Sequence, residues 1–476
     1  MLISFRVSNF RSIKDEQVFS FLHGSSTRGP SQTLATSGSS SQRGPDSKDI
    51  SEIEPWLEDV GTVAGIFGPN ASGKSNVLEA LIFMNLTIRD SYRKWGSTSG
   101  GIPAQPFALE PRCSKEPSLF EAVYIDHGTR FQYGFRLTAE QVVGEWLYAY
   151  PTNRRQVWFE RDISAEQDYY FGKSFSGRNK VIADLTSKTS LFLSTAMANN
   201  HRLADLAGHW FGNHFTSAMP SDRTVRIRYT QRLSRRKAEW SEVAEMVKFA
   251  DLGIERVRVR HEKLAGRERE RLLRFFKVLE EDVPAPSDIE SVIDETADVV
   301  EFGHSSSGQD PVYLPLSLES LGTQTWFSLV GLILRALANG DTLLIDELDA
   351  SLHPRLTSEI LSLFEEPQRN PRQAQLLFTT HDTALMGNLL GERELSRDQI
   401  WFTDKGNDGS TVLYPLTDFS PRKAENLERG YLQGRYGAIP YLDRRIADKI
   451  TKRVMSSSDR DDQGFSGSTA PGESDS

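Results

Sequence analysis

The chain has 476 residues, which is long enough for about three domains of ~150 residues or for one large α/β domain with insertions. With 38% hydrophobic and 25% charged residues, its composition excludes collagen-like and wholly disordered proteins. The net charge of -9 argues against a surface that is basic throughout, as in a dedicated nucleic-acid coat protein.

Cysteine content and hydropathy indicate the compartment. The single cysteine, Cys113, can form neither an intramolecular disulfide nor a cysteine-based metal site, and one thiol suits the reducing cytoplasm. The N-terminus lacks the pattern of a signal peptide. The longest apolar stretch, Trp326 to Leu334, is well short of the ~20 residues that cross a bilayer. We therefore predict a cytoplasmic protein that does not span a membrane.

The N-terminal segment predicts a β-hairpin followed by a loop. Apolar and polar residues alternate from Leu2 to Ser8, which is typical of a half-buried strand, and Gln17 to Leu22 is the expected partner strand. Residues 23–47 are mostly Gly, Ser, Thr, Pro and Gln, a composition too polar to repay the entropy of ordering. We predict a mobile surface loop there.

The next segments predict one strand–loop–helix unit and then an antiparallel sheet. An apolar run from Val60 to Phe67 leads into Gly68, and helical periodicity follows Gly73. Four strand-like segments separated by turn residues come afterwards and predict a β subdomain: Phe120–Ile125, Arg130–Leu137, Val142–Tyr150 and Val157–Glu160.

The second half of the chain begins with its only markedly basic region. Asp222 to Lys277 contains 17 Lys or Arg against 9 Asp or Glu, and its periodicity is helical in Arg232–Lys237 and Arg267–Arg274. This region predicts a site for DNA or for an acidic protein partner, or else simply the solvated face of a helical insertion. From Leu314 onward, helix-like and strand-like segments alternate as in a mostly parallel sheet. From about Met455 the polar composition predicts a disordered tail.

The strongest motif is a phosphate-binding loop. Gly68 to Ser75 fits the pattern G-x-x-x-x-G-K-[ST] in full, between the predicted strand and the predicted helix. Such a loop directs backbone N–H groups and a helix N-terminus at phosphates, while a lysine reaches the β and γ oxygens and a hydroxyl ligates magnesium. The motif therefore predicts binding of ATP and Mg²⁺. The predicted nucleotide-binding residues of the loop are Asn70, Ala71, Ser72, Gly73, Lys74, Ser75 and Asn76, with Ser75 also a metal ligand.

Two further strand ends carry polar residues that suit the same chemistry. The apolar run Leu343–Ile345 ends in Asp346 and Glu347, which predicts a magnesium ligand followed by a carboxylate that orients the attacking water. Taken alone, two acids at a strand end fit a solvated turn as well. His381 follows another apolar strand and is predicted to contact the γ-phosphate, the alternative being a residue of a capped turn.

Ser320 and Gly322 precede a predicted helix from Thr323 to Leu337. A helix of that length spans about 22 Å. The start of the helix is therefore expected far from Lys74 of the same chain, with its N–H groups free to meet a nucleotide held by a second copy. The sequence thus predicts a homodimer with two ATP molecules between the subunits. The simpler alternative is that Ser320 only caps the helix.

These segments resemble the ABC-type ATPase heads of the SMC and RecF kind, and among them the AbiLi/RloA group of phage-defence ATPases. The resemblance covers most of the chain, from Leu2–Ile13 through the motifs above to Gly430–Pro440, which is the most group-specific string. It implies an α/β fold of the P-loop NTPase, ABC ATPase-head type, with a mixed and parallel sheet flanked by helices, an antiparallel β subdomain and a helical insertion.

The resemblance also implies roles for particular residues. Ser320 and Gly322 stand where the signature motif lies, although Leu321 replaces a glycine of the commoner S-G-G pattern. Asp349 falls in the segment that contacts the opposite subunit, and His381 is the switch histidine; Glu347, His381 and Lys74 are the expected catalytic residues. Gln105 is a candidate for the glutamine that contacts magnesium.

The division into domains follows from these motifs. Residues 1–215 are predicted to form a first ATPase lobe with the phosphate loop and the β subdomain, and residues 216–313 a basic, partly helical insertion. Residues 314–454 form the predicted second lobe with the signature, the acidic pair and the switch histidine. Residues 455–476 are the predicted tail.

The expected function is an ATP-hydrolysing dimeric switch in antiviral defence. In the resembling group such an ATPase acts with a separately encoded effector, often a Toprim-type nuclease of the RloB/AbiLii kind. The related OLD nucleases carry a Toprim domain on the same chain. Here the chain after His381 shows no strand ending in Glu followed by one ending in Asp-x-Asp, so we do not expect it to cut nucleic acid itself. The alternative function is a RecF-like or SMC-like ATPase of DNA repair or recombination.

Overall fold

The structure is a computed structural model that describes residues 1–22, 59–95, 101–250, 253–261, 270, 298–305, 310–387, 395–422, 425–440 and 445–451. The predicted mobile loop 23–47 and the predicted tail 455–476 lie outside the described residues. The chain divides into two compact units, Met1–Ala438 and Ile439–Ser476. In the second unit, residues 445–451 are helical.

Sixteen strands and nine α-helices are numbered here in chain order within the described residues. The strands are β1 (Leu2–Ser8), β2 (Gln17–Ser20), β3 (Val63–Phe67), β4 (Ser118–Asp126), β5 (Thr129–Leu137), β6 (Val142–Tyr150), β7 (Gln156–Asp162), β8 (Tyr169–Phe171), β9 (Phe215–Ala218), β10 (Ile254–His261), β11 (Asp298–His304), β12 (Val312–Pro315), β13 (Thr342–Ile345), β14 (Gln375–Thr379), β15 (Ile400–Lys405) and β16 (Thr411–Pro415). The helices are α1 (Lys74–Lys94), α2 (Asn179–Leu185), α3 (Phe192–Ala198), α4 (Arg202–Asn213), α5 (Arg223–Arg232), α6 (Lys237–Phe249), α7 (Leu321–Asn339), α8 (Pro354–Glu365) and α9 (Leu427–Leu432).

A seven-stranded antiparallel sheet has the order β2-β1-β4-β5-β6-β7-β8. The four strands predicted after the first helix are confirmed as β4 to β7, and the predicted N-terminal hairpin is confirmed as β1 and β2. The hairpin continues the same sheet, because β1 pairs with β4 in a register that places Phe5 opposite Ala122. One apolar core packs this sheet against α1 to α4.

A six-stranded sheet has the order β16-β15-β3-β14-β13-β9, in which only β16 runs antiparallel to its neighbour. Every residue of β3, β13 and β14 is buried, which is typical of parallel strands covered on both faces. The carboxyl ends of these three strands lie at one edge of the sheet. The predicted boundary at residue 215 falls at the start of β9, which pairs with β13.

The basic segment is partly helical, as predicted, in α5 and α6, but it also contains strand β10. Strands β10, β11 and β12 form a three-stranded antiparallel sheet that the sequence analysis missed. In β10 three arginines alternate with Val257 and Val259, and their charge obscured this period-two pattern in the sequence. Arg258 Nε and Arg260 Nε each donate to the carboxylate of Glu301 on β11 over 2.8 Å. Of the predicted helical segment Arg267–Arg274, only residue 270 is described.

Helix α7 is the only described helix that is long and apolar enough to cross a membrane. Its apolar character has a simpler cause, because Trp326, Phe327, Val330 and Ile333 are fully buried in the second apolar core. Trp326 Nε1 also donates to the carbonyl of Met246 on α6 over 2.9 Å. The helix is thus a core element of the described protein.

Candidate nucleotide-binding site

The loop between β3 and α1 has the backbone of an anion-binding turn. Gly68, Ala71 and Gly73 have positive φ values of 153°, 63° and 101°. The two glycines are also required because neighbouring segments approach the loop closely. A Cβ on Gly68 would lie 2.4 Å from the carbonyl oxygen of Thr403, and one on Gly73 would lie 2.0 Å from Thr411 Oγ1. Turns of this kind form concave sites for phosphate at the start of a helix.

Lys74 begins α1 and folds back over this loop. Its Nζ donates to the carbonyl oxygens of Gly68 (2.8 Å) and Pro69 (3.1 Å), and the side chain is buried. Burial lowers the pKa of Lys74 to about 8, against the opposing attraction of nearby carboxylates. The ammonium group is therefore held at the loop by neutral carbonyls in a site that favours an anionic partner.

Three side chains converge at the carboxyl ends of the parallel strands. Ser75 Oγ donates to Asp346 Oδ1 over 3.0 Å, and Thr379 Oγ1 donates to the same oxygen over 2.6 Å. The Thr379 hydroxyl also accepts from the backbone N–H of Glu347 over 2.8 Å. Thr379 is buried at the end of β14, between β3 and β13, and the sequence analysis did not select it. The sequence feature that could have identified Thr379 is a hydroxyl residue at the end of an otherwise apolar strand.

The predicted catalytic residues Glu347 and His381 lie at neighbouring strand ends. Glu347 is exposed and has a left-handed backbone with φ of 55°. The backbone N–H of His381 donates to Asp349 Oδ1 over 3.2 Å. His381 is exposed by accessible surface, yet desolvation by the surrounding protein, and then the charge of Lys74, lower the pKa of its imidazole. The ring is therefore mainly neutral at pH 7, able to donate a hydrogen bond from one nitrogen and accept one at the other.

Ser320 and Gly322 lie at the start of α7. Ser320 Oγ accepts from the backbone N–H of Thr323 over 3.1 Å, so the helix cap that was the simpler alternative is present. A Cβ on Gly322 would lie 2.7 Å from the carbonyl oxygen of Ser351. The start of α7 thus packs directly against the segment that follows the acidic pair. Leu321 is 51% exposed beside it.

A hydroxyl network holds the phosphate loop from both ends of the chain. Asn76 Nδ2 donates to Ser12 Oγ over 2.5 Å, and Ser12 Oγ lies 2.6 Å from Thr411 Oγ1. Thr411 Oγ1 donates to the carbonyl of Ser72 over 2.9 Å, and Ser72 Oγ lies 2.7 Å from Thr403 Oγ1. The predicted residues Ser72 and Asn76 are therefore tied to neighbouring segments, whereas Asn70 and Ala71 are exposed at the tip of the loop.

Gln105 is held by the N-terminal motif. Its Oε1 accepts from Arg11 Nε over 2.6 Å, and its backbone carbonyl accepts from the Arg11 N–H over 2.7 Å. Arg11 in turn contacts Glu79 on α1. Its role as the magnesium-contacting glutamine remains a prediction.

The string Gly430–Pro440 supports the strand beside the phosphate loop. Tyr431 and Tyr436 stack on Phe402 of β15, with ring centroids 5.3 and 6.0 Å away. Phe402 pairs with Phe67, the residue before Gly68. Tyr431 OH donates to the carbonyl of Ala438 over 2.7 Å, which closes the turn. The sequence analysis had no physical account of this string, and the packing supplies one.

The phosphate loop, the acidic strand end and the strand order define a P-loop nucleotide-binding protein with an α/β fold of the ABC ATPase type. Residues 63–387 match the family described as "AAA domain, putative AbiEii toxin, Type IV TA system". The match covers more than half of the chain, and the protein therefore belongs to this family. No curated protein matches it.

Several solved structures are similar to the chain. One is the SMC head domain from Thermotoga maritima, with a TM-score of 0.35 and 14% identity, covering 87% of this chain and 98% of that one. Another is an Smc head domain with an extended coiled coil bound to the C-terminal domain of ScpA, derived from Pyrococcus furiosus, with a TM-score of 0.37 and 11% identity, covering 91% and 98%. An SmcHead bound to the C-winged helix domain of ScpA has a TM-score of 0.38 and 13% identity, covering 90% and 99%.

Proposed function

We propose that this protein binds and hydrolyses ATP with Mg²⁺. The observation that carries the proposal is the convergence of Ser75 and Thr379 on Asp346, next to the buried Lys74. The oxygens of Ser75 and Asp346 are 3.0 Å apart. Neighbouring oxygens in an octahedral magnesium shell lie about 2.9 Å apart, so this pair fits two positions of such a shell. When bound, Mg²⁺ would neutralise phosphate charge.

Four residues of the site would each have a separate role in ATP hydrolysis. Lys74 is placed to leave its carbonyl partners and bind β and γ oxygens, where its charge stabilises the transferring phosphoryl group. Glu347, exposed beside Asp346, would orient a water molecule and accept its proton. The neutral imidazole of His381 would contact the γ-phosphate by a hydrogen bond. Thr379 would hold both acids in place through its single hydroxyl.

ATPase assays on purified protein test this proposal. We expect wild-type protein to release phosphate, and Glu347→Gln to lose most of the activity while retaining ATP binding. The matched control is Glu359→Gln, which neutralises a carboxylate on α8 whose side chain is 48% exposed and should leave turnover unchanged. Absence of ATP binding by the wild type, or equal turnover by Glu347→Gln and wild type, would refute the proposed chemistry.

We further propose that two copies bind ATP between them. The start of α7 supports this arrangement, because four exposed aliphatic side chains lie within ten residues around it. They are Val312 (53% exposed), Leu314 (37%), Leu318 (70%) and Leu321 (51%). Exposed apolar groups near a site are typical of a surface that is covered in an assembly. Ser320 and Gly322 lie among them and would meet the nucleotide of the second copy.

Light scattering of the Glu347→Gln variant tests the dimer. We expect dimers with ATP and monomers without it. Leu318→Asp in the same background should weaken the dimer, because it places a charge in the proposed interface. Leu185→Asp, at a leucine that is 54% exposed on α2, is the control and should not. Monomers under both conditions would refute the arrangement.

We propose antiviral defence as the biological setting, with a separately encoded effector, such as a Toprim-type nuclease, as partner. The family description, which names an AbiEii toxin, and the resemblance of Gly430–Pro440 support this setting. A plaque assay in cells that carry the gene with its neighbours tests it. Wild type should reduce phage plating and Glu347→Gln should not, and co-purification would identify the effector. Equal plating with and without the intact locus would count against defence.

The second candidate function is a RecF-like ATPase of DNA repair, and one observation favours it. Arg228, Arg232 and Arg235 line one small pocket on the basic segment, together with Gln231 and Asp298. Clustered arginines suit a phosphate backbone. Titrations with DNA at several salt concentrations test it, because Arg235→Ala/Arg236→Ala should lower the salt slope by about two if both residues contact phosphates. Arg369→Ala is a control outside this segment. If the basic segment is only a solvated face, wild-type protein should show no salt-dependent DNA binding.

A further inference from the structure

Two histidines and one aspartate meet where the β4–β5 turn packs against α4. Asp126 ends β4 and is buried, at 8% exposure. Its Oδ2 lies 2.9 Å from His209 Nδ1, and its Oδ1 lies 3.2 Å from His127 Nδ1. The two imidazole rings are also in contact, with centroids 4.5 Å apart. One ligand atom from each of the three residues falls within 4.8 Å of the other two.

We infer that Asp126, His127 and His209 bind one divalent transition-metal ion of the Zn²⁺ or Co²⁺ class. Zinc bonds to imidazole and carboxylate are about 2.0–2.2 Å long, so neighbouring ligands of a tetrahedral ion lie about 3.3 Å or slightly more apart. The contacts of 2.9 and 3.2 Å involve the two different oxygens of Asp126, so the carboxylate would bind the ion through both oxygens or turn to present one of them. Two imidazole nitrogens and one carboxylate suit these ions better than Mg²⁺ or Ca²⁺, which prefer oxygen ligands.

The backbone, the ring protons and the solvent exposure of these residues are compatible with metal binding. His127 has a left-handed backbone with φ of 45°, which is uncommon for a residue other than glycine, and its N–H donates to Asp126 Oδ1 over 3.0 Å. A neutral imidazole carries one ring proton, and moving it to Nε2 leaves Nδ1 free as a ligand without loss of a proton from the ring. The side chains of His127 and His209 are 54% and 33% exposed, so water can complete the coordination.

The position of the site gives the metal a structural role. The ion would join the turn of the seven-stranded sheet to α4, which leads directly into β9 of the six-stranded sheet. His214, at the end of α4, already contacts the residue before β13, because its Nδ1 lies 3.0 Å from Asp341 Oδ1. Metal binding at Asp126 should therefore stabilise the junction of the two sheets without a ligand from the phosphate loop.

Titration of tag-free, full-length protein with Co²⁺ tests the site, after treatment with EDTA and in buffer containing Mg²⁺. The visible d–d absorption of bound Co²⁺ should saturate at one ion per chain, and Zn²⁺ should displace it. His127→Asn, which tolerates the left-handed backbone, and His209→Gln should each weaken binding by more than the about 10–100-fold that loss of an outer-shell partner costs. The control His353→Asn removes an exposed histidine and keeps a residue suited to cap α8.

Thermal unfolding gives a second readout. Zn²⁺ should raise the unfolding temperature of wild type and of His353→Asn but not of His127→Asn. Because His127 is exposed, its variant keeps the test valid if His209→Gln fails to fold. The inference is overturned if wild type shows no saturable Co²⁺ absorption, or if both ligand variants bind Co²⁺ as tightly as wild type. None of these outcomes depends on ATP hydrolysis.

Discussion

Replacing Thr379 with valine would remove one hydroxyl and almost no volume. That hydroxyl donates to Asp346 over 2.6 Å and accepts from the Glu347 N–H over 2.8 Å, and the residue is fully buried. A hydrogen bond to a charged group contributes about 1.5–3 kcal/mol and a neutral one about 1 kcal/mol, so we expect the free energy of unfolding to fall by about 2.5–4 kcal/mol. Turnover should fall by about 10–100-fold, as for the loss of an outer-shell partner at a metal site.

Two further variants isolate the hydroxyl in urea unfolding and ATPase assays. Thr379→Ser keeps the donor and acceptor and should retain most of the stability and activity. Thr357→Val is the matched control in α8, because its buried Oγ1 has no hydrogen-bond partner among the described residues. This control should be neutral or slightly stabilising. The reasoning fails if Thr379→Val unfolds at the same urea concentration as wild type, or if Thr379→Ser is as damaged as the valine variant.

Three other predictions concern the phosphate loop and the strand beside it. The pKa of Lys74 is lowered from 10.5 to about 8, and a bound triphosphate favours the charged amine. ATP binding near pH 8 should therefore take up protons, and ATP affinity should fall as the pH rises above 8. Calorimetry in buffers of different ionisation enthalpy measures both the proton uptake and the affinity. Gly73→Ala places a Cβ 2.0 Å from Thr411 Oγ1 at φ 101° and should weaken ATP binding in a fluorescence titration, with backbone strain alone costing about 1–3 kcal/mol. Tyr431→Ala should lower the free energy of unfolding by about 3–5 kcal/mol, because it removes the packing on Phe402. Tyr431→Phe removes only the hydrogen bond to Ala438 and should cost about 1 kcal/mol. Equal unfolding temperatures for wild type and Tyr431→Ala would contradict this.

Local patterns explain which parts of the fold were predictable. The phosphate loop is one continuous string between an apolar strand and a helix, so β3 and α1 follow from it, and the strand before Asp346 follows from its own apolar run. The period of two in β4 to β7 was equally local. In β10 the same period of two was present, but the sequence analysis described this part of the chain only by its basic charge and did not predict a strand there. The pairing of Arg258 and Arg260 with Glu301 comes from a strand far along the chain.

Contacts between distant segments explain what the sequence analysis missed in the site. Thr379 meets Asp346 across neighbouring parallel strands, and no spacing in the sequence indicates which hydroxyl will face which acid. Ser12 and Thr411 meet at Gly73, although almost the whole chain separates them. The tyrosines of Gly430–Pro440 stack on Phe402 for the same reason: only the folded sheet brings them together.

The hydroxyl network around Ser72 has a consequence for synthesis of the protein. Ribosomes deliver Ser12 and the phosphate loop early, but Thr403 and Thr411 emerge only after most of the chain. A nascent chain that stops before residue 403 therefore lacks both threonines that contact Ser72, and the tyrosines that stack on Phe402 are added later still. The geometry that the loop has in the folded protein can thus form only late in translation, once both threonines have been added.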